Sequence, residues 1–371
     1  ALDIEYGLNI SIYFWYNRTD TEPYTGIYTN NTSYIIRNAN GQAIMDGELV
    51  HLGDGKYMFT MNSSIIVDNN GSEGLGTYHL YIFFNKPRYV EQSLIISITI
   101  EVIETICYAA TTNISLQWND SYSVSIFYNR SRDSIFIKNA LVNISVYNSS
   151  GSTISNVDQY FSMYSMGDRY SLLINTTGLE TMIYVVEISL TREYYREGKI
   201  RIFIDVEPVP TYAVPSEKST TVEYPKNYTF IIWYYTDEYN ISNATSSYIV
   251  SYGGVDIHGG NLSYNETTES YELFLFTKYL FTLTGADELP VTLTIEIRLS
   301  SPYHRPQVLY IAYTICAINT MLTLSEKSVT IRYGDVWMFI LNYTDSGGEI
   351  ILDDANATYV ITLNESNIMS G

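Results

Sequence analysis

The stretch Leu8-Asn-Ile-Ser-Ile-Tyr-Phe-Trp-Tyr16 decides the fold, because it returns three more times. It comes back as Tyr122-Ser-Val-Ser-Ile-Phe-Tyr128, as Tyr228-Thr-Phe-Ile-Ile-Trp-Tyr-Tyr235 and as Val336-Trp-Met-Phe-Ile-Leu-Asn-Tyr343. The closing tyrosines Tyr16, Tyr128, Tyr235 and Tyr343 lie 112, 107 and 108 residues apart by subtraction. An aspartate follows each (Asp20, Asp133, Asp237, Asp345), and an aromatic stands ten or eleven residues ahead (Tyr6, Trp118, Tyr224, Tyr333). A fixed period of domain size marks an array of one structural unit. The expected units are residues 1–104, 105–208, 209–316 and 317–371: three repeats and part of a fourth. The first is short of the leader strand that precedes Tyr224 and Tyr333. The third and fourth both open with Ser-Glu-Lys-Ser, at Ser216 and Ser325.

Inside each unit the pattern is that of strands. Leu94, Ile96, Ile98, Ile100 and Val102 alternate with Ser97, Thr99 and Glu101, and residues 200–206 do the same. Strict period two puts one face on a core and the other in water. Gly53-Asp-Gly55 reads as a hairpin turn, since glycine tolerates positive φ. Tyr57 after Gly-Lys is answered by Tyr170 after Asp-Arg, and Tyr89 by Tyr195 and Tyr303. Helical periodicity is not evident. Short strands punctuated by turns predict an all-β chain of tandem immunoglobulin-like antiparallel sandwiches arranged as a rod, each touching mainly its neighbours.

Composition narrows the function. The net charge of −20 and the absence of a Lys/Arg cluster argue against a nucleic-acid partner. The longest uncharged run, residues 307–325, holds Tyr310, Tyr313, Thr314, Asn319, Thr320 and Thr323. The repeat register makes it one closing strand plus the next opening strand, so no membrane span is expected in this window. Cys107 and Cys316 each end a Thr-Ile-Cys tripeptide near a junction. Free buried thiols are expected there, with an intermolecular disulfide as the alternative.

The plan Tyr6-Gly7, Ile10, Ile12, Phe14, Asp20, then Gly53-Asp-Gly-Lys-Tyr57, Gly76-Thr-Tyr-His-Leu80 and Ile96 to Ile100 resembles the tandem immunoglobulin-like repeats of prokaryotic, especially archaeal, cell-surface proteins. The resemblance covers the whole chain. It implies an extracellular setting shared by surface layers, filaments, adhesins and the stalks of exported enzymes.

Twenty Asn-x-Ser/Thr sequons agree with export. They are Asn9, Asn17, Asn30, Asn31, Asn62, Asn70, Asn113, Asn119, Asn129, Asn143, Asn148, Asn175, Asn227, Asn240, Asn243, Asn261, Asn265, Asn342, Asn356 and Asn364. N-linked glycans are therefore expected, and they would also mask sheet edges.

Chemistry is thinly provided. His51, His79, His258 and His304 are scattered and lack the spacing of a zinc site. Gly71, Gly74 and Gly76 lack the strand-to-helix context of a dinucleotide loop. The best metal candidate is calcium at Asp68, Asn70, Ser72 and Glu73, whose oxygens resemble the alternate spacing of a calcium loop, whereas the repeated Asp20, Asp133, Asp237 and Asp345 read as turn-formers rather than ligands. Glu73 stands where such a loop carries glycine, and the distal bidentate Glu is missing, so a plain surface loop is the competing reading. No catalytic residue and no cofactor is expected.

The functional expectation is a structural, glycosylated segment that builds a layer, stalk or filament through contacts between its own copies. The alternatives are an adhesin or carbohydrate-binding array, with cell-surface glycans as partners, and the non-catalytic stalk of a larger exported enzyme. Strand donation between molecules is a further possibility at the incomplete end repeats.

Overall fold

The computed structural model describes residues 1–70, 74–346, 356–363 and 366–370. The chain divides into two compact units, Ala1–Glu207 and Pro208–Gly371.

The first unit contains two sandwiches. One has the sheet β1-β8-β7-β3-β4 facing the sheet β2-β6-β5. Its strands are β1 (Leu2–Glu5), β2 (Asn9–Trp15), β3 (Thr32–Arg37), β4 (Ala43–Gly47), β5 (Val50–Gly53), β6 (Lys56–Asn62), β7 (Gly76–Phe84) and β8 (Gln92–Glu101), with helix α1 (Ser63–Asn69) between β6 and β7. The other consists of β9 (Thr105–Ala109), β10 (Asn113–Gln117), β11 (Ser121–Arg130), β12 (Leu141–Asn148), helix α2 (Val157–Tyr160), β13 (Phe161–Met166), β14 (Arg169–Asn175), β15 (Ile183–Thr191) and β16 (Gly198–Glu207). Its sheets run β10-β16-β15-β12 and β13-β14-β11-β9.

The second unit holds a third sandwich built from β17 (Tyr212–Pro215), β18 (Ser219–Glu223), β19 (Asn227–Tyr235), β20 (Thr245–Tyr252), β21 (Val255–Gly260), β22 (Ser263–Asn265), β23 (Ser270–Phe276), helix α3 (Thr277–Thr284), β24 (Val291–Ser300) and β25 (Gln307–Cys316). Its sheets are β17-β19-β23-β22 and β18-β25-β24-β20-β21. Two hairpins follow: β26 (Thr320–Leu324) with β27 (Leu341–Asp345), and β28 (Val360–Leu363) with β29 (Ser366–Ser370).

The alternation read from the sequence builds these cores. On β19 the side chains of Phe230, Ile232 and Tyr234 are wholly enclosed, and on β11 so are Val124, Ile126 and Tyr128. Each sandwich has its own hydrophobic cluster. Fully burying one such side chain contributes about 1.5–3 kcal/mol, so the inward rows dominate stability.

The sheets are mainly antiparallel, with one parallel edge pair in each sandwich: β1 with β8, β10 with β16 and β18 with β25. In the second sandwich the chain pairs antiparallel through β9, crosses to the other sheet within three residues, and continues in the same direction as β10. Keeping direction while changing sheet forces the parallel pairing.

Three expectations need correction. The counterpart of Tyr16 and Tyr128 is Tyr234, not Tyr235. The amide of the first inward residue beyond the strand donates to the carbonyl of this tyrosine in every case: Ile27 to Tyr16, Ile137 to Tyr128 and Ile241 to Tyr234, at 2.7, 2.9 and 2.8 Å. A one-residue slip turns every side chain to the other face, and Tyr234 is buried whereas Tyr235 is only partly covered. With Tyr234 in place, the aromatics Tyr6, Trp118, Tyr224 and Tyr333 all stand ten residues ahead.

Likewise the series Tyr89, Tyr195 continues at His304. The positive-φ position just before it is held by Arg88, Tyr194 and Tyr303.

Finally, helices are present. Helix α1 is capped by Asn62, whose side-chain oxygen accepts from the Ser64 amide at 3.0 Å, and α3 ends on Gly285 with φ 64°. Both helices plug the crossing between sheets with buried apolar residues, Ile66 and Val67 in one and Leu280 in the other; Leu179 does so from a turn in the second sandwich. Seven or eight residues give too few turns for an amphipathic period to show.

Candidate functional site

The side chains that recur from sandwich to sandwich fasten main chain to main chain. Tyr57, Tyr170 and Tyr271 lie on the strand beside the first one, opposite Phe14, Ile126 and Ile232. Each phenol is buried and spans the segment that follows the first strand. Tyr170 donates to the Ile137 carbonyl at 2.8 Å and accepts from the Ala140 amide at 2.9 Å. Tyr271 donates to Ile241 at 2.9 Å and accepts from Ala244 at 2.8 Å. Tyr57 donates to Ile27 at 3.1 Å and accepts from Thr29 at 2.8 Å. Tyr271 completes a series that the sequence had shown only as Tyr57 and Tyr170.

A second latch joins the sheets at the same end of the first strand, two residues farther along it. Tyr16, Tyr128 and Tyr234 donate to the carbonyls of Val90, Arg196 and Arg305 at 3.4, 2.6 and 3.1 Å. These carbonyls belong to the hairpin between the last two strands. Burial pushes the Tyr128 phenol up to about 12, so it stays a donor at any physiological pH. Glycine makes the close approaches possible. A Cβ on Gly198 would lie 2.9 Å from both Cys107 Cβ and the Tyr128 ring. One on Gly55 (φ +74) would lie 2.5 Å from the Tyr16 carbonyl oxygen.

The two sandwiches of the first unit meet at a seam. Tyr6 stacks on Tyr194, with ring centroids 4.0 Å apart, and donates to Asp68 at 3.2 Å. Glu5 accepts from the Glu104 amide at 3.3 Å and faces Arg132 at 4.0 Å. Arg196 pairs with Glu104 at 2.7 Å. The main chain also crosses the junction, with Ile103 bridging Tyr195 in parallel.

The repeated aspartates have specific duties in the first unit. Asp20 is held by the Arg18 guanidinium at 3.0 and 2.8 Å, which lowers its pKa. Asp133 takes Arg130 in the same two-point manner and also accepts from the Ile135 amide at 3.3 Å. Asp237 lies exposed in its loop.

Ser72 and Glu73 of the calcium candidate lie outside the described residues. Asp68 sits on α1 and is bonded by Tyr6, while the Asn70 side chain takes Asn38 at 3.2 Å and reaches Tyr78 at 3.1 Å. Among the described residues no three His, Cys, Asp or Glu converge. The histidines stay apart: His51 packs between Tyr28 and Tyr57, His79 meets Ser97, His258 meets Tyr248 and His304 meets Tyr239. Cys107 and Cys316 are free and half-buried. Among the described residues no helix is long and apolar enough to cross a membrane.

Asn364 lies outside the described residues, and no other sequon asparagine is buried. Asn9, Asn30, Asn31, Asn113, Asn119, Asn143, Asn227, Asn240, Asn243, Asn261, Asn342 and Asn356 are exposed. Asn17, Asn62, Asn70, Asn129, Asn148, Asn175 and Asn265 are half-covered. Asn62 is the most occupied: its amide nitrogen donates to the Gly7 carbonyl at 2.9 Å and to Asn9 at 3.0 Å, while its oxygen caps α1.

No family model matches this chain, and no curated protein does. Among solved structures, titin domains A168–A170 align over 85% of this chain and 96% of theirs, with 10% identity and a TM-score of 0.29. A tetra-tandem repeat from the extending region of a large adhesion protein aligns over 82% of this chain and 72% of its own, with 13% identity and a TM-score of 0.31. Sidekick-1 immunoglobulin domains 1–5 align over 85% and 57%, with 10% identity and a TM-score of 0.25. The fold, tandem immunoglobulin-like sandwiches, rests on the sheets and cores described above.

Proposed function

We propose that this chain is an architectural segment of an exported, N-glycosylated cell-surface protein of the archaeal type, and that it builds a layer, stalk or filament through contacts with further copies of itself. We propose the repeat boundaries 1–104, 105–208, 209–316 and 317–371 as its modules. The observation that carries this reading is the use made of recurring polar side chains. The tyrosines that repeat each bind main-chain carbonyls within their own sandwich. Such latches resist shear between sheets, which is the demand on a module that transmits tension. Exposed sequons on strands and loops suit a glycan coat over the remaining surface.

Electron microscopy of the native cell surface tests the assembly. Density for this chain in a repeating lattice or filament, with sugar at the exposed sequons, is expected. Isolated molecules carrying a catalytic partner domain would move the reading to an enzyme stalk.

One observation favours a second reading, a carbohydrate-binding array. Tyr13 and Trp15 stand side by side on the outer face of β2, 46% and 63% exposed, with the Lys56 ammonium 4.4 and 5.6 Å from their ring centres. An aromatic face suits a sugar ring. A glycan array showing saturable binding that Trp15→Ala abolishes would establish it.

A further inference from the structure

A leader strand flanks the first strand of every later repeat. β9 pairs with β11, setting Cys107 opposite Tyr128; β17 pairs with β19, setting Ala213 opposite Tyr234; β26 pairs with β27, setting Leu322 opposite Tyr343. The opposed residue stands twenty-one positions ahead of its tyrosine each time. Two positions earlier is always threonine: Thr105, Thr211, Thr320. Two earlier again is Ile103, Val209 or Ile318.

Each part of this motif has partners. The Ile103 amide donates to the Tyr194 carbonyl at 2.8 Å, and its carbonyl accepts from Arg196 at 3.0 Å. Val209 does the same with Tyr303 and Arg305, at 2.9 and 3.0 Å. The hydroxyls of Thr105 and Thr211 donate to the Arg196 and Arg305 carbonyls, at 3.0 and 2.5 Å.

In the first sandwich this place is open. β2 pairs only with β6. Along its other edge runs a groove of about 1130 Å³, bordered by Trp15, Tyr16, Arg88, Val90 and Leu94. Leu94 is 50% exposed, whereas its counterparts Ile200 and Leu309 pack on their cores. Trp15 is 63% exposed, whereas Trp233, opposite Val214, is 36% exposed.

We propose that this groove is the seat of an extended leader strand, running antiparallel to β2 and supplied by polypeptide that leads into Ala1. The sister sandwiches define the chemistry of the occupant: an aliphatic β-branched residue, threonine two positions on, and a small or apolar residue two beyond that. Connector length identifies the source. Three residues, 110–112 and 216–218, separate the leader from the parallel strand that follows, and β1 is that strand here. So short a tether holds a strand at high effective concentration beside its slot. Ala1 lies fifteen residues ahead of Tyr16, as Asn113 does of Tyr128 and Ser219 of Tyr234. The three motif residues therefore fall ten, eight and six positions ahead of Ala1. The threonine hydroxyl bonds the Val90 carbonyl, and the aliphatic residue bridges the Arg88 carbonyl and the Val90 amide.

The test grafts residues 103–112 ahead of Ala1 in the full chain. The graft should raise the melting temperature and cut acrylamide quenching of Trp15 at least twofold, with the Trp15→Phe version as the spectral baseline. The same graft carrying Thr105→Asp and Cys107→Asp should do neither. A peptide of residues 103–112 added to the ungrafted chain gives an independent reading: it should protect Trp15 on binding. Unchanged melting and quenching with graft and peptide alike would overturn the proposal. So would an ungrafted chain that self-associates at micromolar concentration with Trp15 already protected, because the occupant would then be a strand from a second copy.

Discussion

Tyr6 lies face to face with Tyr194, their planes 19° apart, and joins the turn after β1 to the hairpin tip of the next sandwich. Burial first, and then Asp68, pushes the Tyr6 phenol up to about 12. Its folded pKa stands above its ordinary value of 10.0, so the proton is held more tightly in the folded chain. That stabilisation is complete below pH 10 and is lost as pH rises through about 12. Denaturant titrations between pH 9 and 12 should show stability falling. Tyr6→Phe, which keeps the ring but has no proton to lose, should flatten that fall.

Tyr271 and Tyr313 share the third sandwich, and their hydroxyls predict opposite outcomes. Tyr271 uses its hydroxyl twice. The Tyr313 hydroxyl is buried and finds no protein partner among the described residues. Tyr271→Phe should cost about 1–3 kcal/mol, because a buried amide and carbonyl lose their partner. Tyr313→Phe should be neutral or stabilising by up to about 1 kcal/mol. Urea unfolding of the two variants measures both signs.

Gly198→Ala should destabilise the second sandwich by about 1–3 kcal/mol, since the methyl meets Cys107 and Tyr128 at 2.9 Å in a packed core. Gly167→Ala meets no neighbouring atom within 4 Å and serves as the comparison at a turn, where only its positive φ matters. Thermal melts of both should separate packing from backbone strain.

Cys107 should resist alkylation. Burial pushes its thiol up to about 11, so little thiolate exists at pH 8. Iodoacetamide should modify Cys107 at least tenfold faster in denaturant than in buffer, as peptide mass mapping would show.

Glycan occupancy should follow exposure. Asn30, Asn113, Asn143, Asn227 and Asn261 are open to an attached sugar, whereas Asn62 already donates from its amide nitrogen to Gly7 and Asn9. Glycopeptide mapping of the native protein should find the first group modified and Asn62 bare.

The sequence by itself determined the all-β class and the inward rows, because an alternating strand next to a core shows its period directly: the alternation from Leu94 to Val102 is strand β8 as far as Glu101, and residues 200–206 lie wholly within β16. It also gave the uncharged run at residues 307–325 its division into two strands, seen as β25 and β26. It misplaced Tyr235 and Tyr303 by one residue. Adjacent tyrosines at Tyr234 and Tyr235 look alike in a sequence, and only burial tells which one faces the core. The short helices were hidden because their apolar residues plug a crossing between sheets and need no full amphipathic face.

Only the tertiary structure decided what the tyrosines do. The Tyr170 hydroxyl meets Ile137 and Ala140 some thirty residues away, and Tyr128 meets Arg196 across sixty-eight. Those partners are main-chain atoms, which every residue possesses and no sequence pattern marks. The periodicity of side chains is local and legible; the pairing of a phenol with a distant carbonyl exists only once two sheets have closed on each other.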